Sequence, residues 1–474
     1  MNKIIGRIEE QKILDDCLRS DGSEFLVIYG RRRIGKTYLI KNYFDNRFSF
    51  YATGVFGKKN KEQLKAFYSC LRQYGDNEDS CPKNWFEAFA RLQNLLNSDF
   101  IKRDPINNKR VVFLDELPWM SVTNSDFKAA LDFFWNGYAS YENDILFIVC
   151  GSATSWILNN LLYDKGGFAH RITRRIHLSQ MNLKDCEEFL KYKGIDIPRH
   201  QIVEYYMFFG GVPYYYSLID RRLSLAQNVD ELFFSNDGTL KNEFSFLFGS
   251  LFKNPNCHIS VIKALSNSKS GLTRKELEEK LNDVRGGSLD RTLKELLECD
   301  FIKKYNNFTK KTKESIFQII DPMLLFYLRY VEGSIKKSWQ SYVGTSKYNS
   351  WCGEAFENVC LLHVKQIKQL LGISGIDSEE LSWRSKQKLD GAQIDLLIDR
   401  SDKTITICEM KYYSDKFNLD KHYSEILDNK RQVLIRETKT KKVVNIVMIT
   451  SFGLSDSSNR NIIINDYRED QLFI

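Results

Sequence analysis

Apolar runs that alternate with helical segments set the pattern of the first third of the chain. Three runs are continuously apolar rather than alternating, at residues 24–29, 111–114 and 144–150. Continuous runs of this length are typical of strands buried on both faces of a parallel sheet. Residues 127–138 have helical periodicity and separate two of the runs. The pattern predicts an α/β fold in which parallel strands alternate with helices.

The pattern changes after residue 250, where short helical segments precede strand-like ones. Residues 259–265, 273–281 and 288–299 are predicted as helices, and 301–305 and 314–320 as strands. Thr273 and Glu276 form a capping box at the second helix, Gly286-Gly287 makes a turn, and Ser288 caps the third helix. This is the order of a winged helix, whose third helix reads the groove in DNA-binding versions.

A polar, glycine-bearing stretch at residues 333–347 predicts a hinge before the last part of the chain. Beyond it, two apolar segments, 391–399 and 404–411, flank the polar residues 400–403. Two strand-like segments separated by a short polar loop predict a β-hairpin.

A glycine-rich octapeptide follows the first apolar run. It consists of Gly30, Arg31, Arg32, Arg33, Ile34, Gly35, Lys36 and Thr37. In a phosphate-binding loop of this form, backbone N–H groups close around phosphate oxygens, the lysine reaches the β- and γ-phosphates, and the threonine holds Mg²⁺. Tyr38 opens the next helix, whose positive end points at the anion. The position between strand and helix predicts a site for ATP and Mg²⁺ at residues 30–38.

Two acids, Asp115 and Glu116, end the second apolar run. In this Walker B pattern, Asp115 is expected to hold Mg²⁺ through water and Glu116 to polarise the water that attacks the γ-phosphate. Paired acids after an apolar run are ordinarily a solvated strand end, but Lys36 and Thr37 upstream reverse that interpretation. The third run leads into Ser152, which makes this hydroxyl a candidate sensor of the γ-phosphate.

Three further segments resemble elements of the STAND-type branch of the AAA+ ATPases. They are residues 5–9, similar to the adenine-side box, residues 170–175, and residues 209–214, similar to a Gly-x-Pro lid. The resemblance implies a nucleotide contact at Pro213 and a cation for the γ-phosphate at Arg171. A solvated, charged strand edge is the other interpretation of Arg171, Arg174 and Arg175. A sensor arginine of the usual AAA+ kind is not evident, so motor-like ring behaviour is not implied.

Charged residues interrupt the predicted hairpin near the end of the chain. Asp395 and Glu409 are fourteen positions apart, so the hairpin would set them side by side, with Lys411 on the same face. Paired carboxylates that hold Mg²⁺ lower the pKa of bound water, and a lysine positions or activates the nucleophile. The spacing predicts a metal-dependent phosphodiesterase site, to which Glu357 on an upstream helix adds a third carboxylate, with Glu354 one turn away.

These residues resemble the Asp…Glu-x-Lys signature of restriction-endonuclease-like nucleases, which often carry a glutamate on a preceding helix. Residues 430–432 (Lys-Arg-Gln) resemble the accessory basic or glutamine-bearing motif of that superfamily. The resemblance implies catalytic roles for Asp395, Glu409 and Lys411, and metal ligation by Glu357, Asp395 and Glu409. A cross-strand ion pair between Lys411 and either acid is the alternative interpretation.

Basic residues outside these motifs predict non-specific contact with DNA. They lie in the predicted wing (Lys303, Lys304, Lys310, Lys311, Lys313), beside Trp383 (Arg384, Lys386) and at residues 430–442 (Lys430, Arg431, Arg436, Lys439, Lys441, Lys442). The third helix of the predicted winged helix instead carries Arg291 and Lys294 against Asp290, Glu295 and Glu298. This balance does not support base readout, and a connector or protein-contact module is an equally good interpretation of the winged helix.

Composition fits a multidomain protein of the reducing cytoplasm. The 474 residues include ten cysteines without a Cys-x-x-Cys pair and six histidines without His-Glu-x-x-His, so neither zinc nor a disulfide framework is indicated. Neither a bilayer-spanning stretch nor a secretory start is found, and a membrane partner is not expected. The net charge of +8 permits a nucleic-acid partner without requiring one. A homo-oligomer is compatible with the sequence.

These features predict four parts: a P-loop ATPase core (1–180), a helical lid (181–250), a winged helix (251–335) and a restriction-endonuclease-like α/β domain (345–474). The order resembles a prokaryotic ATPase family with a C-terminal nuclease-like domain of uncharacterised role, over essentially the whole chain. It implies an ATP-binding and ATP-hydrolysing switch that acts on DNA. A signalling or assembly ATPase, whose tail is an inactive nuclease fold used for binding, is the competing hypothesis.

Overall fold

The computed structural model describes residues 4–163, 168, 170–252, 254–281, 284–308, 315–334, 338–385 and 391–474. The chain divides into two units. The first consists of Met1–Ser179 with Ser250–Phe252, and the second of Gln180–Gly249 with Lys253–Ile474. The predicted division into four parts is finer than this grouping and stays a prediction.

Within its described residues, the first unit is built on a parallel sheet of five strands. The strands are β1 (Glu24–Tyr29), β2 (Phe50–Thr53), β3 (Arg110–Asp115), β4 (Ile145–Gly151) and β5 (Arg174–His177), in the order β2-β3-β4-β1-β5. Neighbouring strands pair in parallel, and Ile148 at the centre pairs with both Leu26 and Phe113. The predicted parallel α/β fold is confirmed.

Helices cover both faces of this sheet. They are α1 (Ile8–Arg19), α2 (Lys36–Tyr43), α3 (Asn60–Tyr74), α4 (Trp85–Leu96), α5 (Leu117–Met120), α6 (Phe127–Phe134) and α7 (Thr154–Ile157), with π-helical turns at Trp135–Ala139 and Leu158–Leu162. One apolar layer joins Leu14 and Leu39 to one face, and another joins Phe67 and Leu92 to the other. Burial on both faces explains why the strands read as continuous apolar runs.

The carboxyl ends of four strands meet at one edge of the sheet. Gly30 follows β1, Gly54 follows β2, Glu116 follows β3 and Ser152 follows β4. Because parallel strands all point the same way, residues far apart in sequence are brought to a common edge. This edge carries the candidate nucleotide site.

From residue 180 onward the chain is rich in helices. They are α8 (Leu183–Tyr192), α9 (Arg199–Phe209), α10 (Pro213–Ser217), α11 (Leu225–Val229), α12 (Glu243–Leu251), α13 (Asn256–Ser266), α14 (Arg274–Lys280), α15 (Gly286–Glu298), α16 (Pro322–Phe326), α17 (Ser346–Leu362), α18 (Val364–Leu370) and α19 (Lys421–Thr438). Short π-helical and 3₁₀ turns occupy Asp230–Phe234, Tyr327–Val331, Gln340–Tyr342, Ser458–Ile462 and Glu469–Leu472. Edge-to-face rings join α9 to α16 and to the 339–342 turn, since Phe208 lies 4.8 Å from Phe326 and 5.4 Å from Trp339.

A second sheet, of eight strands among the described residues, runs through the second unit. Its strands are β6 (Leu272–Thr273), β7 (Ile302–Asn307), β8 (Ile316–Ile319), β9 (Ser378–Arg384), β10 (Gln393–Arg400), β11 (Thr404–Lys411), β12 (Val443–Thr450) and β13 (Ile463–Arg468), in the order β13-β12-β11-β10-β9-β7-β8-β6. The β7–β9 pair is parallel, with Asn306 opposite Leu381. Lys303 on β7 also bonds Glu380 on β9 at 2.5 Å. The sheet therefore continues across the predicted boundary at residues 335–345.

Local predictions between residues 256 and 320 are confirmed in part. The capping box holds, because Thr273 N–H donates to Glu276 at 2.7 Å and Glu276 N–H donates to Thr273 Oγ1 at 3.2 Å. The turn at Gly286-Gly287 and the cap at Ser288 are wrong, since α15 begins at Gly286 after Arg285. Gly286 has a φ of 57°, so a single residue turns the chain and Gly287 already lies in the helix. The two predicted strands are found with shifted ends.

Some predictions fall outside the described residues. They concern the wing lysines Lys310, Lys311 and Lys313, the strand start at Glu314, Lys386 beside Trp383, and residues 335–337 of the hinge. In the parts of the chain that the structure describes, no helix is long and apolar enough to cross a membrane.

Replacement of Gly211 by alanine is expected to destabilise the second unit. A Cβ at Gly211 would lie 1.8 Å from the carbonyl oxygen of Met181, and the Gly211 carbonyl accepts the Met181 N–H at 2.8 Å. Overpacking against fixed backbone typically lowers the free energy of unfolding by about 1–3 kcal/mol. Thermal and urea unfolding of Gly211→Ala measure the loss.

Gly353→Ala is the matched control for that change. Gly353 lies inside α17 and a Cβ there meets no atom within 4 Å. Alanine in a helix interior is favoured over glycine, so this variant should unfold at the wild-type midpoint or above. Equal unfolding midpoints for the two variants would contradict the packing at Met181.

Candidate functional site

The glycine-rich loop turns sharply between β1 and α2. Gly30, Arg33 and Gly35 have φ values of 142°, 72° and 90°, and α2 begins at Lys36. A Cβ at Gly30 would lie 2.4 Å from the carbonyl oxygen of Leu178, so only glycine fits this close approach. The strand–loop–helix order predicted for residues 24–44 is confirmed, and it aims the N-terminus of α2 into the loop.

Lys36 lies inside the loop rather than in solvent. Its side chain is buried, and the ammonium donates to the carbonyl oxygens of Gly30 and Arg31 at 2.8 Å each. These acceptors are neutral, whereas phosphate oxygens are charged and bind an ammonium more strongly. The arrangement suits a lysine that exchanges loop carbonyls for phosphate.

Thr37 and Asp115 face each other across the edge of the sheet. The Thr37 hydroxyl donates to the two Asp115 carboxylate oxygens at 2.9 and 3.1 Å. The Cys150 thiol also donates to Asp115, at 2.7 Å, and burial raises the pKa of this thiol well above its usual range, so it stays protonated. A hydroxyl beside a carboxylate is a hard-oxygen donor set that fits Mg²⁺, and Thr37 and Asp115 would hold the ion of a bound Mg-nucleotide.

Glu116 and Ser152 form the second polar contact at this edge. The Glu116 carboxylate accepts the Ser152 hydroxyl at 2.8 Å and the Ser152 N–H at 3.1 Å. Glu116 also has a left-handed φ of 46°, a backbone conformation that residues other than glycine seldom adopt. The candidate base and the candidate sensor are therefore bonded to each other.

The remaining predicted nucleotide contacts lie in four different places. Arg7 of the 5–9 segment donates to the carbonyl oxygens of Ser179 at 2.8 Å and of Ile34 at 3.3 Å, which sets that segment beside the glycine-rich loop. Tyr38 is exposed on α2. Arg171 bonds Asp132 at 2.5 Å, and the neighbouring Arg174 and Arg175 are exposed on the edge strand β5. Pro213 belongs to the second unit, at the first position of α10.

The hairpin β10–β11 carries the predicted carboxylates of the second unit. Leu396 pairs with Cys408 and Asp399 with Ile405, so the antiparallel register sets Asp395 next to Glu409. Asp395 accepts the Gln393 side-chain N–H at 2.7 Å. The predicted hairpin is confirmed, including its turn at residues 400–403.

Glu409 is surrounded by donors. Its carboxylate accepts Lys430 Nζ at 2.7 Å and the Tyr423 hydroxyl at 2.5 Å, and Lys411 Nζ lies 3.3 Å away. Burial alone would raise the pKa of Glu409, but the charges of Lys430 and Lys411 outweigh burial and hold it below its usual range. Glu409 is thus an ionised carboxylate with both oxygens engaged.

Glu357 on α17 has the opposite character. Burial, and next the negative charge of Asp395, raise the pKa of Glu357 to about 8, although Lys411 opposes the shift. A carboxyl group that is protonated at neutral pH beside two other acids is in a site with excess negative charge. Glu354, one turn earlier, forms an ion pair with Arg329 instead.

Among the described residues, no three His, Cys, Asp or Glu side chains form a group able to hold a metal ion. Glu409 is turned towards two lysines and Tyr423, and Asp395 takes the Gln393 amide. The predicted ligand set of Glu357, Asp395 and Glu409 therefore stays a prediction. The donor chemistry fits Mg²⁺, because three carboxyl groups supply hard oxygens and the buried Glu357 would become ionised beside a cation.

Two residues of these sites were not predicted from the sequence. Cys150 has only the signal of its place at the end of an apolar strand. Tyr423 stands seven positions before Lys430 on α19, and this spacing puts both on one face of a helix. Helical periodicity therefore contained a signal for Tyr423, but not for the acid that it contacts.

Residues 5–219 match the ATPase_2 family, described as an ATPase domain predominantly from Archaea. The matched range includes the glycine-rich loop, Asp115, Glu116 and Ser152, as well as α8 to α10. The parallel sheet and the loop geometry are typical of a P-loop NTPase core, and this match supports an ATP-hydrolysing function.

The chain is also similar to individual proteins. An uncharacterized protein of Methanocaldococcus jannaschii, MJECL04, is 25% identical over 417 residues, which cover 86% of this chain and 87% of that protein. The Walker-type ATPase paby2304 of Pyrococcus abyssi is 16% identical with a TM-score of 0.49, covering 69% of this chain and 96% of that one. The Aeropyrum pernix ORC2 protein is 17% identical with a TM-score of 0.44, covering 69% and 95%.

The raised pKa of Glu357 predicts a pH dependence of stability. The pKa of Glu357 in the folded state, about 8, lies above its ordinary value of 4.5, so the folded state binds an extra proton between these pH values. The contribution of Glu357 to the free energy of unfolding is therefore fully present below about pH 4.5 and is lost as the pH rises through 8. Between pH 6 and pH 8.5, with EDTA present to remove bound metal ions, the loss of free energy of unfolding should be on the order of 2 kcal/mol.

Unfolding of Glu357→Gln in urea at pH 6 and pH 8.5 tests this dependence. The variant has no carboxyl group to ionise, so its free energy of unfolding should change less between the two pH values than that of the wild type. Glu425→Gln, an exposed change on α19, is the control and should behave as the wild type. The same pH slope in all three proteins would contradict the burial of Glu357.

Proposed function

We propose that this chain is an ATP-driven switch whose nucleotide state acts on a C-terminal restriction-endonuclease-like domain, and that this domain contacts DNA. ATP and Mg²⁺ bind at the glycine-rich loop, and hydrolysis resets the switch. The observation that carries the ATPase half is the bonded pair Thr37–Asp115 next to the bonded pair Glu116–Ser152, at the edge where Lys36 lies.

The Glu116–Ser152 contact supports a switch rather than a simple phosphate site. Both Glu116 oxygens accept hydrogen bonds from Ser152, which turns the carboxylate towards Ser152 and leaves fewer lone pairs for an attacking water molecule. A γ-phosphate is an acceptor for the same Ser152 donors, so its arrival would release the carboxylate. Hydrolysis would then begin only when the third phosphate is in place.

Contacts within the second unit support a route from the lid segment to the carboxylates. α9 is followed by Gly210-Gly211, just before Pro213. At the middle of this helix, the Glu204 carboxylate accepts a hydrogen bond from the Tyr412 hydroxyl at 3.0 Å. Tyr412 follows Lys411 directly. α17, which carries Glu357, is tied to α8, since His363 Nε2 accepts the Leu183 N–H at 3.0 Å. A shift of α8 or α9 would therefore reach both sides of the carboxylate site.

The charges of the second unit favour backbone contact over base readout. On α15, Arg291 bonds Glu295 at 3.0 Å and Lys294 lies 3.7 Å from Glu298. Cations that are already paired on their own helix are weak partners for phosphates. We therefore propose the winged helix at 251–335 as a connector. Within residues 430–442, Lys430, Arg431 and Lys442 are also paired with acids, so we propose that the DNA contacts come from Arg436, Lys439 and Lys441.

The second candidate function is a signalling or assembly ATPase whose tail is an inactive nuclease fold. The observation that favours it is the Glu409 carboxylate, whose two oxygens are engaged by Lys411, Lys430 and Tyr423. An ion-paired carboxylate of this kind can serve structure alone.

Glu116→Gln tests the ATPase half. Glutamine keeps the shape of the side chain but cannot act as a base, and removing a general base typically slows the chemical step by about 10²–10⁴-fold. We expect turnover of ATP to fall by this order while ATP binding, measured by calorimetry, persists. Asp16→Asn, an exposed change on α1, is the control. Unchanged hydrolysis in Glu116→Gln would remove Glu116 from its proposed role.

Plasmid cleavage tests the nuclease half. Wild type is compared with Asp395→Ala and Lys411→Ala in Mg²⁺ or Mn²⁺, with and without ATP, and Lys421→Ala serves as the exposed lysine control. We expect nicking by wild type and Lys421→Ala and its loss, by a factor of about 100 or more, in the two site variants. Intact plasmid with all four proteins would leave the binding module as the function of the tail.

A further inference from the structure

An exposed aromatic side chain stands on the loop after β2, at the same edge of the sheet as the candidate nucleotide site. Phe56 is 60% exposed, and its ring meets Trp119 edge-to-face with the centroids 5.3 Å apart. We call residues 54–61 the Phe56 loop. A single exposed ring is ordinary on a protein surface, so the support beneath Phe56 and the charges around it decide whether it forms a site.

The Phe56 loop is fixed from below by a buried glutamine. The Gln63 amide accepts the Val55 N–H at 3.0 Å and donates to the Val55 carbonyl oxygen at 2.6 Å. Gln63 is only 2% exposed. Two opposed hydrogen bonds to the residue before Phe56 hold the backbone in one place, so the exposed ring is presented by a built support.

Basic side chains flank the ring. Lys58, Lys59 and Lys61 are exposed, and among the described residues none of them forms an ion pair. The one acid in the adjoining stretch up to residue 65 is Glu62, while Lys65 adds another cation. The surface is therefore cationic and carries one ring with a free face.

We propose that the Phe56 loop binds single-stranded nucleic acid, with a base stacked on Phe56 and phosphates against Lys58, Lys59 and Lys61. A single strand offers both features, since every base has a face for stacking and every nucleotide carries a charge. This contact belongs to the first unit and is independent of the nuclease-like domain.

The same loop touches the candidate base. The Gly54 N–H donates to the Asp115 carbonyl oxygen at 2.9 Å, and a Cβ at Gly54 would lie 2.4 Å from the Glu116 carbonyl oxygen. A nucleic-acid strand bound at Phe56 would therefore affect the position of the Glu116 backbone. We expect bound single strand to change the rate of ATP hydrolysis; this second step rests on the role proposed for Glu116.

Fluorescence anisotropy with a labelled 20-nucleotide oligo-dT and the full chain, in EDTA and without ATP, tests the binding step. Phe56→Ala should weaken binding by about fivefold or more, while Phe56→Trp should retain it. Tyr141→Ala, another exposed aromatic in the first unit, is the control. Phe56→Leu separates stacking from apolar docking, because leucine is apolar without a ring. Oligo-dT affinity retained by Phe56→Leu would show that a stacking ring is not needed and would overturn the proposal.

The lysines are tested by the salt dependence of the same binding. Replacing Lys58, Lys59 and Lys61 together by alanine should make the slope of log K against log salt shallower by about 2. An unchanged slope would overturn the phosphate contacts. Photocrosslinking of an oligonucleotide that carries 5-iodouracil, followed by peptide mapping, should place the crosslink at Phe56, and crosslinks confined to residues beyond 180 would refute the site.

The hydrolysis step has its own readout. Oligo-dT should alter the ATPase rate of wild type but not of Phe56→Ala, and the two proteins should hydrolyse ATP equally without it. Glu116→Gln should bind oligo-dT with wild-type affinity. Unchanged ATPase activity in Glu116→Gln with normal oligo-dT binding would refute the role of Glu116 alone. Normal ATPase activity of the wild type without oligo-dT binding would refute the Phe56 site alone.

Discussion

The parallel sheet of the first unit imposes one constraint on which the candidate nucleotide site depends. Parallel strands end along a common edge, so the residues that follow β1, β3 and β4 must meet there. This brings Thr37 to Asp115 and Glu116 to Ser152, although the chain separates each pair by tens of residues. The same edge carries Gly54 after β2, which explains why a surface loop contacts the peptide of a candidate base.

Sequence patterns predicted the parts of this site that arise from local order. The loop from Gly30 to Thr37 and the acids after β3 are contiguous motifs, and their strand and helix contexts are visible in the apolar runs. The bond between Glu116 and Ser152 was beyond such reasoning, because it depends on which strands become neighbours in space. The start of α15 was mispredicted because the chain turns at the single residue Gly286 and not at both glycines.

The two acidic sites differ in what balances their charge. In the first unit, Asp115 and Glu116 accept bonds from neutral hydroxyl, thiol and backbone groups. In the second, Glu409 is balanced by two ammonium groups, and Glu357 by a proton of its own at neutral pH. The hairpin register that pairs Asp395 with Glu409 was predictable from spacing. The contacts of Lys430 and Tyr423 with Glu409 were not, because they depend on how the distant helix α19 packs.

The joining of β7 to β9 has a mechanical consequence for the second unit. The backbone pairing of β7 with β9, in which Asn306 lies opposite Leu381, and the Lys303–Glu380 ion pair join strands β6 to β8 to strands β9 to β13 in one continuous sheet. A hinge motion at residues 333–347 could not separate strands β9 to β13 from strands β6 to β8 without breaking the pairing between β7 and β9. Rotation within the unit is thereby resisted, and any displacement of the hairpin β10–β11 would also move strands β7 and β8.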